Sequence, residues 1–191
     1  YISNHSSGKM GYAIAQAAQI AGANVKIISG PVSIPTPKGC EKIAVESALQ
    51  MHQQALELAK NADVFVACAA VADYRVEEVS PQKIKKSADD MQINLVKNPD
   101  IVADVAALAA KPFTVGFAAE TQDVEHYALG KLKRKNLDMI AANNVALSGQ
   151  GFNSDDNALT VFSSKNKTEL PLASKQILAE QLVQLISQYY K

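Results

Sequence analysis

The sequence predicts an α/β fold: a three-layer α/β/α, Rossmann-like, mostly parallel sheet with a C-terminal β-hairpin and a final helix. Short β-rich apolar segments alternate with helical patterns along most of the chain. Two of those segments, Asp63–Ala70 (DVFVACAA) and Phe113–Glu120 (FTVGFAAE), are apolar almost without a break, as strands covered on both faces are. Near the end the pattern changes. Ala158–Ser163 (ALTVFS) and Glu169–Leu172 (ELPL) flank Lys165-Asn166-Lys167, a hairpin signature. Alternation of strand and helix builds βαβ units with right-handed crossovers, which favours an open, doubly wound sandwich.

In chain order, Tyr1-Ile2 reads as the end of a strand, so the chain is expected to be one domain, residues 1–191, cut from a longer protein. Further strands are expected at Asn24–Gly30, Lys42–Glu46, Asp63–Ala70, Phe113–Glu120 and Leu137–Ala142. Helices are expected at Met10–Ala21, Ser47–Lys60, Pro99–Ala110 and Asp123–Lys135. In the second helix Leu49, Met51, Leu56 and Leu58 form an untidy apolar face. In the last, Ser174–Tyr190, Ile177, Leu178, Leu182, Leu185 and Ile186 share one side. Pro31–Gly39 carries three prolines and reads as a surface crossing. Val76–Met91, with its lysine cluster, reads as a lid.

Composition narrows the function. The 191 residues are 48% hydrophobic and 20% charged, which excludes a disordered or collagen-like chain. Nineteen basic residues balance nineteen acidic ones, so neither a nucleic-acid coat nor a polybasic membrane anchor is expected. No apolar run approaches a membrane span. Cys40 and Cys68 stand far apart without a CxxC, which argues against a disulfide framework or cysteine-rich zinc site and fits a reducing cytoplasm. His5, His52 and His126 are scattered without metal-ligand or triad spacing; His52 and His126 read as surface residues.

Candidate chemistry lies in the loops. Ser3–Gly11 (SNHSSGKMG) leads into a helix, where glycines admit a ligand to the backbone and unpaired N–H groups meet an anion. It is neither a P-loop nor GxGxxG, and a serine-capped turn explains it equally well. Ala69–Asp73 follows a buried strand, where ligands of open α/β sheets sit. Asp73 suits ribose hydroxyls there, or simply caps a loop. Lys83, Lys85 and Lys86 form a solvated cluster or a cationic flap. In Lys97–Asp100 (KNPD), Asn98 reads as a cap and Pro99 as the first turn of a helix. Lys131, Arg134 and Lys135 share a face near a helix C-terminus, where cations are expected on dipole grounds alone.

The order of these segments is more telling than any one. SNHSSGKMG, AAVADY, the lysine flap, KNPDI, GFAAE and GFNSDDNAL together resemble bacterial phosphopantothenoylcysteine synthetase (phosphopantothenate–cysteine ligase) over essentially the whole chain. The resemblance implies a cytoplasmic ligase joining 4′-phosphopantothenate to L-cysteine with CTP and Mg2+, through an acyl-cytidylate. It implies homodimerisation, for which the hairpin Ala158–Leu172 offers an edge. It also implies an upstream decarboxylase domain that carries FMN. By the resemblance Asn4 and Lys83 are catalytic. Ser6, Ala67, Cys68, Ala69, Asp73, Lys83, Pro99, Asp100, Ile101, Val102, Phe117, Lys131 and Lys135 bind the nucleotide or its phosphates; the magnesium ligands stay unassigned. Two rivals remain. One is a nicotinamide oxidoreductase, disfavoured by the missing GxGxxG and by Ser29-Gly30 where an acidic ribose-binder belongs. The other is a nucleotide-binding module without catalysis.

Overall fold

The computed structural model describes residues 6–85, 91–144 and 154–190. Helix α1 (Lys9–Ile20) follows Gly8, whose φ of 79° is left-handed and whose position no side chain caps. The serine-capped start is therefore replaced by a glycine turn. Strands β1 (Lys26–Ser29) and β2 (Glu41–Ala44) pair in parallel across the proline-rich crossing. Helix α2 (Ala48–Ala59) opens with a capping box between Ser47 and Gln50, which satisfies backbone donors at both residues. Its fully buried residues are Ala55 and Ala59, with Leu56 of the expected face packed beside them, while Leu49 is 45% exposed; small residues let this helix pack closely.

Next come β3 (Val64–Ala67), the short strands β4 (Tyr74–Val76) and β5 (Leu95–Lys97), α3 (Ile101–Ala106), β6 (Phe113–Glu120) and α4 (Val124–Arg134). The chain ends with β7 (Met139–Asn144), β8 (Asp156–Ser163), β9 (Lys167–Ser174) and α5 (Lys175–Tyr189). The main sheet runs β3-β6-β7-β8-β9; its first three strands are parallel and the hairpin adds two antiparallel ones. Edge strand β9 carries Pro171, which such a position tolerates.

Side-chain alternation divides the core into two faces. Val115, Met139, Ala141, Leu159 and Val161 meet Ile14 and Ala17 of α1 and Leu178, Leu182 and Ile186 of α5. From the other face Ala118, Ile140, Ala142 and Phe162 meet Ala106 of α3 and Ala128 and Leu132 of α4. A smaller cluster joins Ala55 and Ala59 to Val105 of α3 and Phe65 of β3. Helices thus cover both faces, giving the three layers expected. Ile177 is 48% exposed and leaves the face assigned to it, and Ala179 is buried in its place.

Three elements differ from expectation. Helix α3 stops at Ala106 instead of Ala110, since Pro112 disfavours helical backbone at Lys111 and Lys111 is pulled to Asp138 at 2.9 Å. His52 is not a plain surface residue: its Nε2 lies 2.7 Å from Asp104 Oδ2, joining α2 to α3. The expected lid stands on an antiparallel root, β4 against β5, that sequence patterning does not reveal. Among the described residues no helix is long and apolar enough to cross a membrane.

Candidate active site

The carboxyl ends of the parallel strands gather most of the singled-out residues, in two groups on opposite faces of the sheet. In the first, Gly11 brings α1 against the end of β3: a Cβ there would stand 3.8 Å from Cys68 Cβ. Gly8 approaches the loop after β1, where a Cβ would meet Val32 Cγ1 at 3.1 Å. Ser6 sits in this turn, half-buried. Ala67 is in register with Gly116, and Cys68 and Phe117 both pack against the core of the α1/α5 face. Burial pushes the Cys68 thiol up to about 12, with Lys175 pulling the other way. A thiol so raised stays protonated near neutral pH. Ala69 and Val71 close a tight turn, Val71 N donating to Ala69 O at 3.2 Å.

Asn98 ties this loop to the start of α3. It is 7% exposed. Its Nδ2 donates to Ala72 O at 2.8 Å, and its backbone N to Asp73 O at 2.8 Å. Arg75 reaches back to Lys97 O at 2.7 Å and Asn98 Oδ1 at 3.3 Å. The expected role for Asn98 as helix cap is thus corrected: Asp100 is the cap, accepting from Ala103 N at 3.2 Å, while Asn98 faces inward as a pin. Asp73 itself stays exposed.

The second group is built on α4. Lys131 and Lys135 lie one turn apart, and each meets a carboxylate: Lys131 Nζ is 2.6 Å from Glu120 Oε1, and Lys135 Nζ is 2.8 Å from Asp100 Oδ2. Pro99, Ile101 and Val102 flank Asp100, with Ile101 and Val102 also packing into the α2 and α4 layers. Arg134, expected on the same face, is exposed. The helix dipole accounts for cations at this end of α4, but the two carboxylates give them fixed places. Glu120 escaped sequence reasoning because it reads only as the end of a strand.

Lys83 is exposed in the segment that β4 and β5 support. Asn4 and His5 lie outside the described residues, as do Lys86 and residues 151–153, the first three of GFNSDDNAL. A further group was not anticipated. Lys175, the first residue of α5, is 6% exposed and donates to Ser154 O, with Asp155, Lys9 and Cys68 close by. Burial pulls its pKa down, and Lys9 adds to that. Among the described residues no three His, Cys, Asp or Glu side chains gather to hold a metal.

Comparison with known proteins places this arrangement. Residues 1–190 match the model of the DNA/pantothenate metabolism flavoprotein C-terminal domain. The chain belongs to that family. It is 59% identical over 189 residues to the coenzyme A biosynthesis bifunctional protein CoaBC of Vibrio cholerae, covering 97% of this chain and 47% of that protein. The CoaBC proteins of Haemophilus influenzae and Escherichia coli are 57% and 52% identical, over 100% and 99% of this chain and 48% of each relative. The chain thus spans about half the length of the curated relatives it matches. A crystal structure of a CoaBC C-terminal domain superposes with TM-score 0.80 at 36% identity, covering 96% of this chain and 83% of that one. A Cab2 variant in complex with phosphopantothenate-cysteine shares the fold, with TM-score 0.77 at 16% identity over 98% of this chain and 80% of that one.

Proposed function

We propose that this chain is the ligase domain that joins 4′-phosphopantothenate to L-cysteine at the expense of CTP in coenzyme A biosynthesis. The observation that carries the reading is the identity of 52–59% to CoaBC proteins along 97–99% of the chain. The pantothenate carboxylate attacks the α-phosphorus of CTP, forming an acyl-cytidylate and expelling pyrophosphate. The cysteine amine then attacks the acyl carbon; the amide forms, CMP leaves and the amine gives up its proton. The product belongs to the class held by Cab2.

Both steps are matters of placing charge, and the residues on the page suit them. An anion attacking a polyanion requires cations, and the transition state concentrates charge on the α-phosphate. In this reading Lys83, on the arm rooted by β4 and β5, stabilises that charge. Lys131 and Lys135 flank the triphosphate, and the glycine turn at Ser6 receives phosphate oxygens. The small residues Ala67, Cys68 and Ala69 leave space for the cytidine. Asp73, the segment Pro99–Val102 and Phe117 complete its contacts, and Asn4 orients the acyl group for the amine. Glu120 and Asp100 are engaged by lysines; Mg2+, where bound, would be held largely by the nucleotide's phosphate oxygens and would offset their charge.

In this reading the chain works in the cytoplasm as a single domain, fused in the full-length protein to an FMN-dependent decarboxylase whose flavin chemistry is not performed here. It also works as a homodimer. The exposed Val79, Ile84, Met91 and Ile93, all at least 57% exposed, favour the arm over the hairpin as the dimer surface. A light-scattering mass equal to one chain would reject the dimer.

The test is incubation with Mg2+, 4′-phosphopantothenate and either CTP or ATP, with and without cysteine, following pyrophosphate and nucleoside monophosphate. Pyrophosphate from CTP, with CMP release dependent on cysteine, is the expected result. CTP binding without any pyrophosphate would leave a nucleotide-binding module. Lys83→Gln should abolish pyrophosphate release in a folded protein, and near-normal release would remove Lys83 from the phosphoryl step. Asn4→Asp should release some pyrophosphate yet slow CMP formation.

A further inference from the structure

Lys131 is held in a way that an ordinary surface lysine is not. A lysine side chain on a helix carries about 2 kcal/mol of rotamer entropy, and nothing in α4 itself restricts Lys131. Its restraint comes from the neighbouring strand. Glu120, the last residue of β6, receives Lys131 Nζ at 2.6 Å, and its side chain is 16% exposed, the least of any carboxylate in the described ion pairs. The strand that carries it is locked into β7 up to this very residue, Glu120 being in register with Asn144. A carboxylate on a fixed strand end thus sets the place of an ammonium on a helix. One of three ammonium donors goes to Glu120, and an ammonium so placed presents the others to a further anion. Lys135 is fixed differently: Asp100 serves it and caps α3 at once. Glu120 is therefore the cleaner of the two to test.

We infer that Glu120 is a positioning residue that presents Lys131 to the phosphates of the nucleotide, deepening the function proposed above and resting on it. With Lys131–Glu120 and Lys135–Asp100 the group is neutral as a whole. It draws in a nucleotide through pre-placed donors, not through net field. Removing the mount then weakens nucleotide binding without altering the reacting atoms.

The experiment compares Glu120→Gln, Glu120→Asp, Lys131→Met and the Gln/Met double variant in the CTP-dependent reaction, with cytidine binding by calorimetry alongside. Glu120→Gln keeps size and an acceptor oxygen but loses the charge. It should raise KM for CTP about five- to tenfold, as loss of a charge-assisted hydrogen bond does, with kcat within about twofold. Cytidine, which lacks phosphates, should bind as to the unaltered protein. The double variant should be no worse than Lys131→Met, because the carboxylate acts only through that lysine. Glu120→Asp, which keeps the charge, should recover most of the CTP affinity. An unchanged KM in Glu120→Gln, an equal loss of cytidine binding, additive effects in the double variant, or no recovery with Asp would each overturn the inference while leaving the ligase reading intact. Absence of any CTP-dependent reaction in the unaltered protein would overturn both.

Discussion

Replacing Asn98 by alanine removes a pin on which two parts of the site depend. The side chain donates from Nδ2 to Ala72 O at 2.8 Å and accepts from Arg75 Nη1 at 3.3 Å, in a residue 7% exposed. An ordinary hydrogen bond contributes about 1 kcal/mol net, and a buried carbonyl left without a donor costs about 1–3 kcal/mol more. The Arg75 contact is long, and Arg75 keeps its stronger bond to Lys97 O at 2.7 Å, so it adds little. The total is about 2–4 kcal/mol, or about 4–16 °C in Tm for a domain of this size. Urea unfolding of Asn98→Ala should show that loss with an unchanged slope. Asn98→Asp provides the sharper test. It keeps the oxygen facing Arg75 but sets a second oxygen against Ala72 O. Near neutral pH it should be at least as unstable as the alanine variant. It should recover as acid protonates the new carboxyl and restores a donor. A loss below about 0.5 kcal/mol in both variants, the range of an ordinary surface change, would refute the pin.

Gly116→Ala should lose about 1–2 kcal/mol in urea unfolding: its Cβ would stand 2.7 Å from Leu137 Cδ1 in a filled core, an overpacking strain of about 1–3 kcal/mol only partly offset by the stiffer unfolded chain. Cys68 should contribute to alkaline unfolding. Its folded pKa is raised from 9.0 to about 12, so its stabilising effect is whole below pH 9 and is lost as pH rises towards 12, by at most about 1.4 kcal/mol per unit. Lys175, whose pKa is lowered, works in the opposite sense just below 10.5 and is present in both proteins. Urea midpoints between pH 8 and 10.5 should therefore fall less steeply in Cys68→Ala than in the unaltered protein, and parallel slopes would disprove it.

The parallel layers were legible because burial on both faces writes itself as unbroken apolar sequence. The apolar run Phe113–Glu120 matches β6 residue for residue, and the hairpin and last helix lie within a few residues of their sequence signals. The arm root was not legible. Tyr74–Val76 and Leu95–Lys97 have three residues each and are separated by 18, too short to show alternation and too far apart for any turn signature. In the site, residue types pointed to the right neighbourhood but not to the contacts. Asn before Pro-Asp reads as a cap, since only the fold reveals that Ala72 O lies within its reach. Lys131 and Lys135 read as dipole partners, since Glu120 and Asp100 come to them from distant parts of the chain. Local chemistry is written in neighbouring letters; pairings made across the sheet are not.

Ile14 and Ala17 near one end of the chain share a core with Leu178, Leu182 and Ile186 near the other. During synthesis α1 therefore leaves the ribosome long before α5, and its apolar stripe is only partly covered, by β6 and β7, until α5 has been made. Because that contact joins residues some 160 positions apart, it has a large entropy of closure and falls late in folding. The strands from β6 to β9 can assemble largely from neighbouring sequence; the α1/α5 layer cannot. Ribosome-bound chains halted before Leu178 should thus expose the surface that trigger-type chaperones cover, and release of the last helix should be the event that makes the protein resistant to protease.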